Sequence, residues 1–252
     1  MLGPLNGNVG LFMRLSIVIP IYNEHRRLQE TFKRVSSFIA MTKDVDVEVF
    51  FVDDGSVDES VRMLQGLIIS SQSTAIKLIR YAPNRGKGHA VKMGILAATG
   101  DIILMSDADL STPLEDWRKL YVAMQAGADL ICGSRAVQGA HICVPAPLAR
   151  RILSRVFNVL VRLSGVHGIR DTQCGFKLFR AEPARLVFSH LKTLRFAFDV
   201  EMISVARDLG YRVDEVAVNW DYSAHSTVHI FSSGTRMLFD LLKIVVRRHL
   251  RL

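Results

Sequence analysis

Two carboxylates follow an apolar run in the segment ILMSDADLSTP, residues 103 to 113, and stand one residue apart as Asp107 and Asp109. Carboxylate oxygens at this spacing suit a hard divalent cation, which takes further ligands from the oxygens of a diphosphate. A cation held there would neutralise charge on a departing nucleoside diphosphate. Because Asp-x-Asp also occurs by chance in loops, the pair gains meaning only from what lies beside it.

Acids also stand at the ends of two other apolar runs. Asp53 and Asp54 end the run in VEVFFVDDGS, residues 47 to 56, and Glu24 follows LSIVIPIY, residues 15 to 22. Taken alone, Asp53 and Asp54 could cap a turn, because Asp-Gly is a common turn pair. Three acid-bearing ends together favour a shared site.

The elements that must position these acids are predicted from the pattern between them. Apolar strands separated by helices are typical of a parallel sheet covered on both faces. A helix is predicted over residues 24 to 40, with apolar side chains at spacings of four, three and four. Further strands are predicted at 74 to 81, 101 to 109 and 128 to 135, and further helices at 88 to 99 and 117 to 124. Since ligands bind at the carboxyl ends of such strands, the two aspartate pairs are expected at one edge.

Composition excludes several classes of protein. The 252 residues are 49% hydrophobic and 22% charged, which indicates one large α/β domain. The segment GKGHAV, residues 86 to 91, lacks the third glycine of a dinucleotide-binding loop, and no P-loop motif is present. The three cysteines, Cys132, Cys143 and Cys174, indicate neither a disulfide framework nor a zinc site, and a reducing compartment is expected.

The net charge of +8 predicts an anionic partner, whether nucleotide, phospholipid surface or nucleic acid. A nucleic-acid-binding role is disfavoured, because the sequence has no aromatic platform or recognition motif and its acidic edge would repel a polyanion.

Two segments are both basic and amphipathic. Residues 130 to 170 contain no Asp or Glu but six arginines, and LARRILSRVFNVLVRL, residues 148 to 163, separates an apolar from a basic helical face. RMLFDLLKIVVRRHLRL, residues 236 to 252, has five basic residues and one Asp. This pattern is typical of helices at an anionic membrane surface, although a packed helix with a solvated basic face would also show it. No apolar run of about 18 residues predicts a membrane span.

The motifs resemble those of a known family. SIVIPIYNE, VDDGS, NRGKGHAVKMGI, SDADLSTP and GSR are similar to successive motifs of the family 2 glycosyltransferases. GIRDTQCGFKLF at 168 to 179, RFAFDVEM at 195 to 202 and VAVNW at 216 to 220 resemble the dolichyl-phosphate β-glucosyltransferases more narrowly. The similarity extends from about residue 15 to residue 222.

The resemblance implies a fold and an activity. The expected fold is GT-A, an α/β, Rossmann-like fold with a mostly parallel sheet and helices on both faces. The basic C-terminal sequence predicts additional amphipathic helices. The expected activity is inverting transfer of a hexose, most simply glucose from UDP-glucose, to a dolichyl-type polyprenyl phosphate, with Mg²⁺ or Mn²⁺. A polyprenyl-phosphate mannosyltransferase that uses GDP-mannose is the alternative enzyme, and a sugar-nucleotide-binding protein without transferase activity is the alternative class.

The chain is expected to have three parts. Residues 1 to 14 are expected to be a flexible leader, 15 to 225 the GT-A catalytic domain and 226 to 252 an amphipathic membrane-surface segment. The protein is expected to be peripheral to a membrane, with its active site facing the cytoplasm.

The resemblance also implies roles for individual residues. Asp107 and Asp109 would coordinate the metal, and Asp171 and Gln173 would face the sugar at the reacting centre. The donor nucleotide would be bound by Pro20, Tyr22, Glu24, Asp54, Lys87 and Asp107, and the acceptor phosphate by Arg135, Arg151 and Ser154. Because that phosphate is already ionised, no general base is expected.

Two departures from the resemblance concern the membrane and the acceptor. Dolichyl-phosphate β-glucosyltransferases usually begin with a membrane-spanning helix, which this sequence is expected to lack. Related polyprenyl-phosphate transferases carry Gly-Ser-Lys after the NW strand, where this chain has YSAHSTVHIF, residues 222 to 231. His225 or the upstream arginines are the candidates to replace that lysine.

Overall fold

Apolar runs that alternate with amphipathic segments fold into a three-layered α/β unit in the computed structural model of this chain. The residues that the structure describes are 13–142, 144, 159, 161, 167–221, 240, 241, 243, 244, 246 and 247.

The first half of the chain alternates strand and helix. Its elements are β1 (Arg14–Ile21), α1 (His25–Met41), β2 (Asp46–Asp54), α2 (Ser60–Ser71), β3 (Ile76–Tyr81) and α3 (Lys87–Ala97). The predicted first strand and first helix are confirmed to within one residue.

The second half breaks this alternation. Its elements are β4 (Ile102–Met105), a 3₁₀ turn (Leu114–Asp116), α4 (Trp117–Gln125), β5 (Leu130–Ser134), β6 (His141–Ile142), β7 (Lys177–Arg180), α5 (Ala181–His190), α6 (Phe198–Asp208), β8 (Val213–Ala217) and β9 (Asn219–Trp220). The sequence did not predict β7, α5 or α6 as separate elements.

The main sheet has the strand order β3-β2-β1-β4-β7-β5-β8. All of its pairings are parallel except those of β7, which runs antiparallel to both β4 and β5. β6 and β9 form a separate two-stranded parallel sheet. The predicted mostly parallel sheet is therefore confirmed, with one reversed strand in its interior.

Both faces of the sheet are covered by helices. β1 shows this directly, because Val18 packs into a cluster with α3, α5 and α6, whereas Ile17 packs into one with α1, α2 and α4. Such full coverage explains why the strand runs read as apolar throughout rather than alternating.

The predicted amphipathic segments fall mostly outside the described residues. Within the described part, Val161, Leu241 and Ile244 are buried in the core cluster that contains α6, whereas Val159 and Val246 are half-exposed. The C-terminal segment therefore packs part of its apolar side against the domain. Among the described helices, none combines the length and the hydropathy that crossing a bilayer requires.

Candidate active site

The wall of the site is built by two loops that are tied together. Asn23, with a φ of 55°, donates its main-chain N–H to Ser56 Oγ at 2.9 Å, and its side-chain oxygen accepts from the Val57 N–H at 2.9 Å. The next N–H, of Glu24, donates to Ser60 Oγ at 2.7 Å. The loops after β1 and β2 are thus fixed to each other at the carboxyl edge of the sheet.

Asp107 lies just beyond β4 at the same edge. Its Oδ1 is 2.6 Å from Lys87 Nζ, at the first residue of α3. The carboxylate also rests against the α-carbon of Gly175, where an added Cβ would overlap it. The pKa of Lys87 is raised, because Asp107 and Asp199 outweigh the opposing effect of burial. Asp107 is therefore paired with a cation that stays charged.

Asp109 is held by main chain and by Arg27. Its Oδ1 accepts from the Ser111 N–H at 2.9 Å, and its Oδ2 is 3.8 Å from Arg27 Nη1. Arg27 Nε also contacts Glu24 Oε2 at 2.7 Å. Burial raises the pKa of Glu24 to about 7, an effect that Arg27 opposes and that the charges of Asp109 and Asp107 reinforce.

The chemistry of this edge suits a divalent cation that is shared with a substrate. Asp107 and Asp109 offer hard oxygen ligands, whereas no cluster of three or more His, Cys, Asp or Glu side chains suited to a metal occurs among the described residues. The described side chains alone would therefore leave the coordination shell incomplete. That is how Mg²⁺ is commonly bound, by one or two carboxylates with phosphate and water oxygens completing the shell.

Three buried polar atoms in this region have no hydrogen-bond partner among the described residues. They are Arg27 Nη2 beside Asp109, Ser111 Oγ two residues after it, and Gln173 Nε2 two residues before Gly175. Buried polar groups are nearly always paired, so the unpartnered atoms of the two residues that contact Asp109, together with that of Gln173, indicate a place for a polar ligand.

Asp54 is used to hold the loop that precedes α3. Its carboxylate accepts from Tyr81 Oη at 2.7 Å, from Asn84 Nδ2 at 2.8 Å, and from the N–H groups of Arg85 and Gly86, each at 2.8 Å. The structure therefore gives Asp54 a positioning role, and its contact with a nucleotide stays a prediction.

Lys87 is also placed by the two glycines beside it. Gly86 has a φ of +106°, and a Cβ there would lie 2.6 Å from the Leu194 carbonyl oxygen. A Cβ on Gly88 would lie 2.7 Å from Phe198 Cβ. The start of α3 therefore docks against residues 194–198 at a distance that only glycine permits.

Arg135 and Asp171 form a two-pronged ion pair beyond the end of β5. Arg135 Nε and Nη2 lie 2.6 and 2.8 Å from Asp171 Oδ2 and Oδ1, and the Arg135 N–H donates to Oδ2 at 3.0 Å. The guanidinium also lies 5.2 Å from the centre of the Trp220 ring. Although burial opposes it, Arg135 holds the pKa of Asp171 below its ordinary value.

The remaining predicted residues divide into two groups. Pro20 is buried near the end of β1, and Tyr22 is exposed at the edge of the sheet. Arg151, Ser154 and His225 lie outside the described residues.

Sequence reasoning assigned no role to Lys177 and Asp199, which form a buried ion pair of 2.6 Å close to this site. Both lie within the motifs CGFKLF and RFAFDVEM. Membership of these motifs was the signal that could have pointed to a role for both residues. The sequence alone does not show that a lysine in a strand is buried.

Comparison with known families gives a direct match. The family model described as Glycosyl transferase family 2 matches residues 16–188. A dolichyl-phosphate beta-glucosyltransferase of Dictyostelium discoideum is 36% identical over 242 residues, which cover 92% of this chain and 74% of that protein. The proteins of the same name from Drosophila melanogaster and Homo sapiens are 38% and 37% identical, each covering 93% of this chain and 75% of the relative.

Solved structures show the same fold. Glucosyl-3-phosphoglycerate synthase from Mycobacterium tuberculosis, in complex with UDP, superposes with a TM-score of 0.66 at 19% identity, covering 94% of this chain and 80% of that one. Its complex with Mn²⁺ and UDP-glucose gives a TM-score of 0.66 at 18% identity, covering 94% and 79%. The likeness confirms the predicted architecture.

Proposed function

Because the chain belongs to the family 2 glycosyltransferases, we propose that it transfers glucose from UDP-glucose to a dolichyl-type polyprenyl phosphate, with inversion at the anomeric carbon. The observation that carries the proposal is the arrangement at the carboxyl edge. There, Asp109 contacts Arg27 and the Ser111 N–H, and Asp107 rests against Gly175, two residues after Gln173. Arg27, Ser111 and Gln173 each carry a buried polar atom without a partner among the described residues. The relatives at 36 to 38% identity, all dolichyl-phosphate beta-glucosyltransferases, support the choice of substrates.

The donor is assigned to the acidic edge. Asp107 and Asp109 would hold Mg²⁺ or Mn²⁺, which supplies charge neutralisation for the departing diphosphate. Arg27 Nη2 and Ser111 Oγ are donors that phosphate oxygens can satisfy. The loops after β1 and β2, with Pro20, Tyr22 and Glu24, would enclose the base and ribose. Mn²⁺ and UDP-glucose in the synthase of similar fold support this division.

The acceptor phosphate is assigned to Arg135, with Arg151 and Ser154. Two of the three guanidinium nitrogens of Arg135 contact Asp171, and Nη1 is outside those contacts. Asp171 therefore orients the guanidinium, and Arg135 can offer Nη1 to a phosphate oxygen. Since a phosphate monoester is ionised at neutral pH, the protein positions the nucleophile and removes no proton.

Gln173 is assigned to recognition of the sugar. Its buried Nε2 can donate to a hexose hydroxyl, and a sugar that lacks the matching hydroxyl would leave this group unpaired. Discrimination between glucose and mannose is expected to depend on this kind of contact.

The membrane surface is the proposed location of the 226 to 252 segment and of residues 148 to 163. Val159 and Val246 are half-exposed apolar side chains, and Lys243 is exposed close to Val246. This combination suits shallow contact with an anionic lipid surface. The free, buried thiols of Cys132 and Cys174 are compatible with a reducing compartment, which supports an active site that faces the cytoplasm.

The deciding experiment offers the purified protein a panel of sugar nucleotides together with a short polyprenyl phosphate and measures which nucleoside diphosphate is released. We expect UDP from UDP-glucose, dependent on both the lipid phosphate and a divalent cation. Release of GDP from GDP-mannose alone would replace the proposal with the mannosyltransferase. Binding of UDP-glucose without transfer to any polyprenyl phosphate would leave only a sugar-nucleotide-binding protein.

A further inference from the structure

A buried pair of opposite charges lies behind the donor site, outside the groups assigned to either substrate. Lys177 Nζ is 2.6 Å from Asp199 Oδ1, and the two side chains are 0% and 5% exposed. Taking two charges out of water is costly, so a buried ion pair is weak evidence for stability by itself. What the pair connects is more informative.

Lys177 is connected to the backbone that supports Asp107. Its Nζ also donates to the Cys174 carbonyl oxygen. The next residue is Gly175, whose α-carbon lies directly against the Asp107 carboxylate. The lysine therefore fixes the main chain on which the proposed metal ligand rests.

Asp199 is connected to the backbone that supports Lys87. It is the second residue of α6, and the segment just before it, residues 194–198, is the surface against which Gly86 and Gly88 dock. The contact between Lys87 Nζ and Asp107 Oδ1, at 2.6 Å, joins the two sides.

The four side chains form a neutral group of two lysines and two aspartates. They make two contacts of 2.6 Å, Lys87 Nζ with Asp107 Oδ1 and Lys177 Nζ with Asp199 Oδ1.

We propose that Lys177 and Asp199 are positioning residues for the cation and diphosphate of the donor. Their ion pair locks the backbone beneath Asp107 to the backbone beside Lys87, and so sets the separation of the carboxylate and the ammonium that face the diphosphate. This inference rests on the proposed function of the donor site. Partners behind a metal ligand typically contribute about 10- to 100-fold to metal affinity, which is the size of effect expected here.

The test replaces the pair with apolar side chains of similar volume, Lys177→Met with Asp199→Leu. Such replacement of a buried ion pair is often neutral or stabilising, so the double variant is expected to fold. Titration of Mn²⁺ in the presence of UDP, followed by the electron paramagnetic resonance signal of the free ion, reads affinity without turnover. We expect the double variant to bind Mn²⁺ with UDP about 10- to 100-fold more weakly than the unmodified protein.

Two further variants sharpen the test. Asp199→Asn keeps the shape of the side chain and is expected to weaken Mn²⁺ binding in the same direction. Lys77→Met is the control. Lys77 on β3 contacts Glu48 on β2 at 2.9 Å, and this lysine–carboxylate pair lies away from Asp107. This control is expected to leave the affinity for Mn²⁺ with UDP unchanged.

The outcomes separate this inference from the proposed function. Unchanged Mn²⁺ affinity in a folded double variant, or in Asp199→Asn, would overturn the positioning role and leave the glycosyltransferase proposal intact. Loss of folding in both variants would assign the pair to stability alone and also overturn it. Failure of the unmodified protein to bind any nucleoside diphosphate with Mn²⁺ would instead refute the donor site itself.

Discussion

Arg135 donates from Nε and Nη2 to the two oxygens of Asp171, a side chain that is only 3% exposed. Arg135→Ala would leave that carboxylate buried, with the main-chain N–H of residue 135, at 3.0 Å, as the donor that remains from this residue. Removing one partner of a buried ion pair typically costs about 3 to 5 kcal/mol. The variant is therefore expected to lose roughly that much free energy of unfolding at pH 7.

The same substitution removes the proposed phosphate contact. Losing a desolvated charged donor costs about 2 to 5 kcal/mol. At about 1.4 kcal/mol per factor of ten, kcat/KM toward the lipid phosphate should fall by roughly 30-fold to several thousand-fold. Affinity for UDP, measured by calorimetry without acceptor, should change little.

Urea unfolding of four proteins isolates the two effects: the unmodified chain, Arg135→Ala, Asp171→Asn and the double variant. We expect the double variant to recover at least half of the stability lost in Arg135→Ala, because a neutral amide removes the uncompensated charge, but to recover none of the transfer activity. The lowered pKa of Asp171 adds a pH signature. The stability that the ion pair contributes is present above the ordinary pKa of a carboxyl and is lost as the pH falls through the lower pKa of folded Asp171. The unfolding free energies of the unmodified protein and of Arg135→Ala should therefore converge below about pH 4.

Two results would refute this reasoning. If Arg135→Ala were as stable as the unmodified protein at pH 7, the ion pair would carry none of the assigned energy. If the variant lost UDP affinity and kept its apparent affinity for the lipid phosphate, the division into an acidic donor edge and a basic acceptor site would be wrong.

Chelation should abolish transfer, and Asp109→Asn should lose most activity with an unchanged circular dichroism spectrum; full turnover in excess chelator would exclude the metal role. The pKa of Glu24, raised to about 7 from 4.5, means that the folded state holds an extra proton between these values and loses stability as the pH rises through them. The free energy of unfolding of Glu24→Gln, measured with urea relative to the unmodified protein, should therefore rise by about 2 kcal/mol between pH 5 and pH 8. A difference between the two proteins that does not change with pH would contradict the raised pKa. Binding of the protein to anionic vesicles, measured by flotation, should weaken as the salt concentration rises. If the protein does not bind the vesicles even at low salt, the amphipathic segments serve only to pack against the domain.

Local pattern predicted most of the first half of the fold, although it did not predict α2. The runs at β1, β2 and β4 are mostly apolar and almost entirely buried, and acids lie at the end of β2 or two to three residues after the ends of β4 and β1. The sequence therefore predicted both the sheet and the location of Asp107 and Asp109 at one edge of it.

The second half depended on contacts that local pattern does not encode. β7 has four residues, one of them the buried Lys177, whose partner Asp199 lies 22 positions later. Burial of a lysine is predictable only when its partner is known. In the same way, the pairing of Arg135 with Asp171 joins residues 36 positions apart, and so the two were assigned separately, one to the phosphate and one to the sugar.

The reversed direction of β7 has a consequence for how this protein can diversify. β5 ends and β7 begins at the same edge of the sheet, since Cys132 pairs with Lys177. The intervening stretch, residues 135 to 176, therefore begins and ends at that edge. Every residue proposed to contact the acceptor or the sugar lies in this stretch, and every residue proposed to contact the donor lies before it. Because both ends of the stretch lie at one edge, its length can change at small entropic cost to the sheet, provided that Cys174 and Gly175 keep their contacts with Lys177 and Asp107. The proposed acceptor contacts can therefore diversify while the proposed donor contacts stay in place.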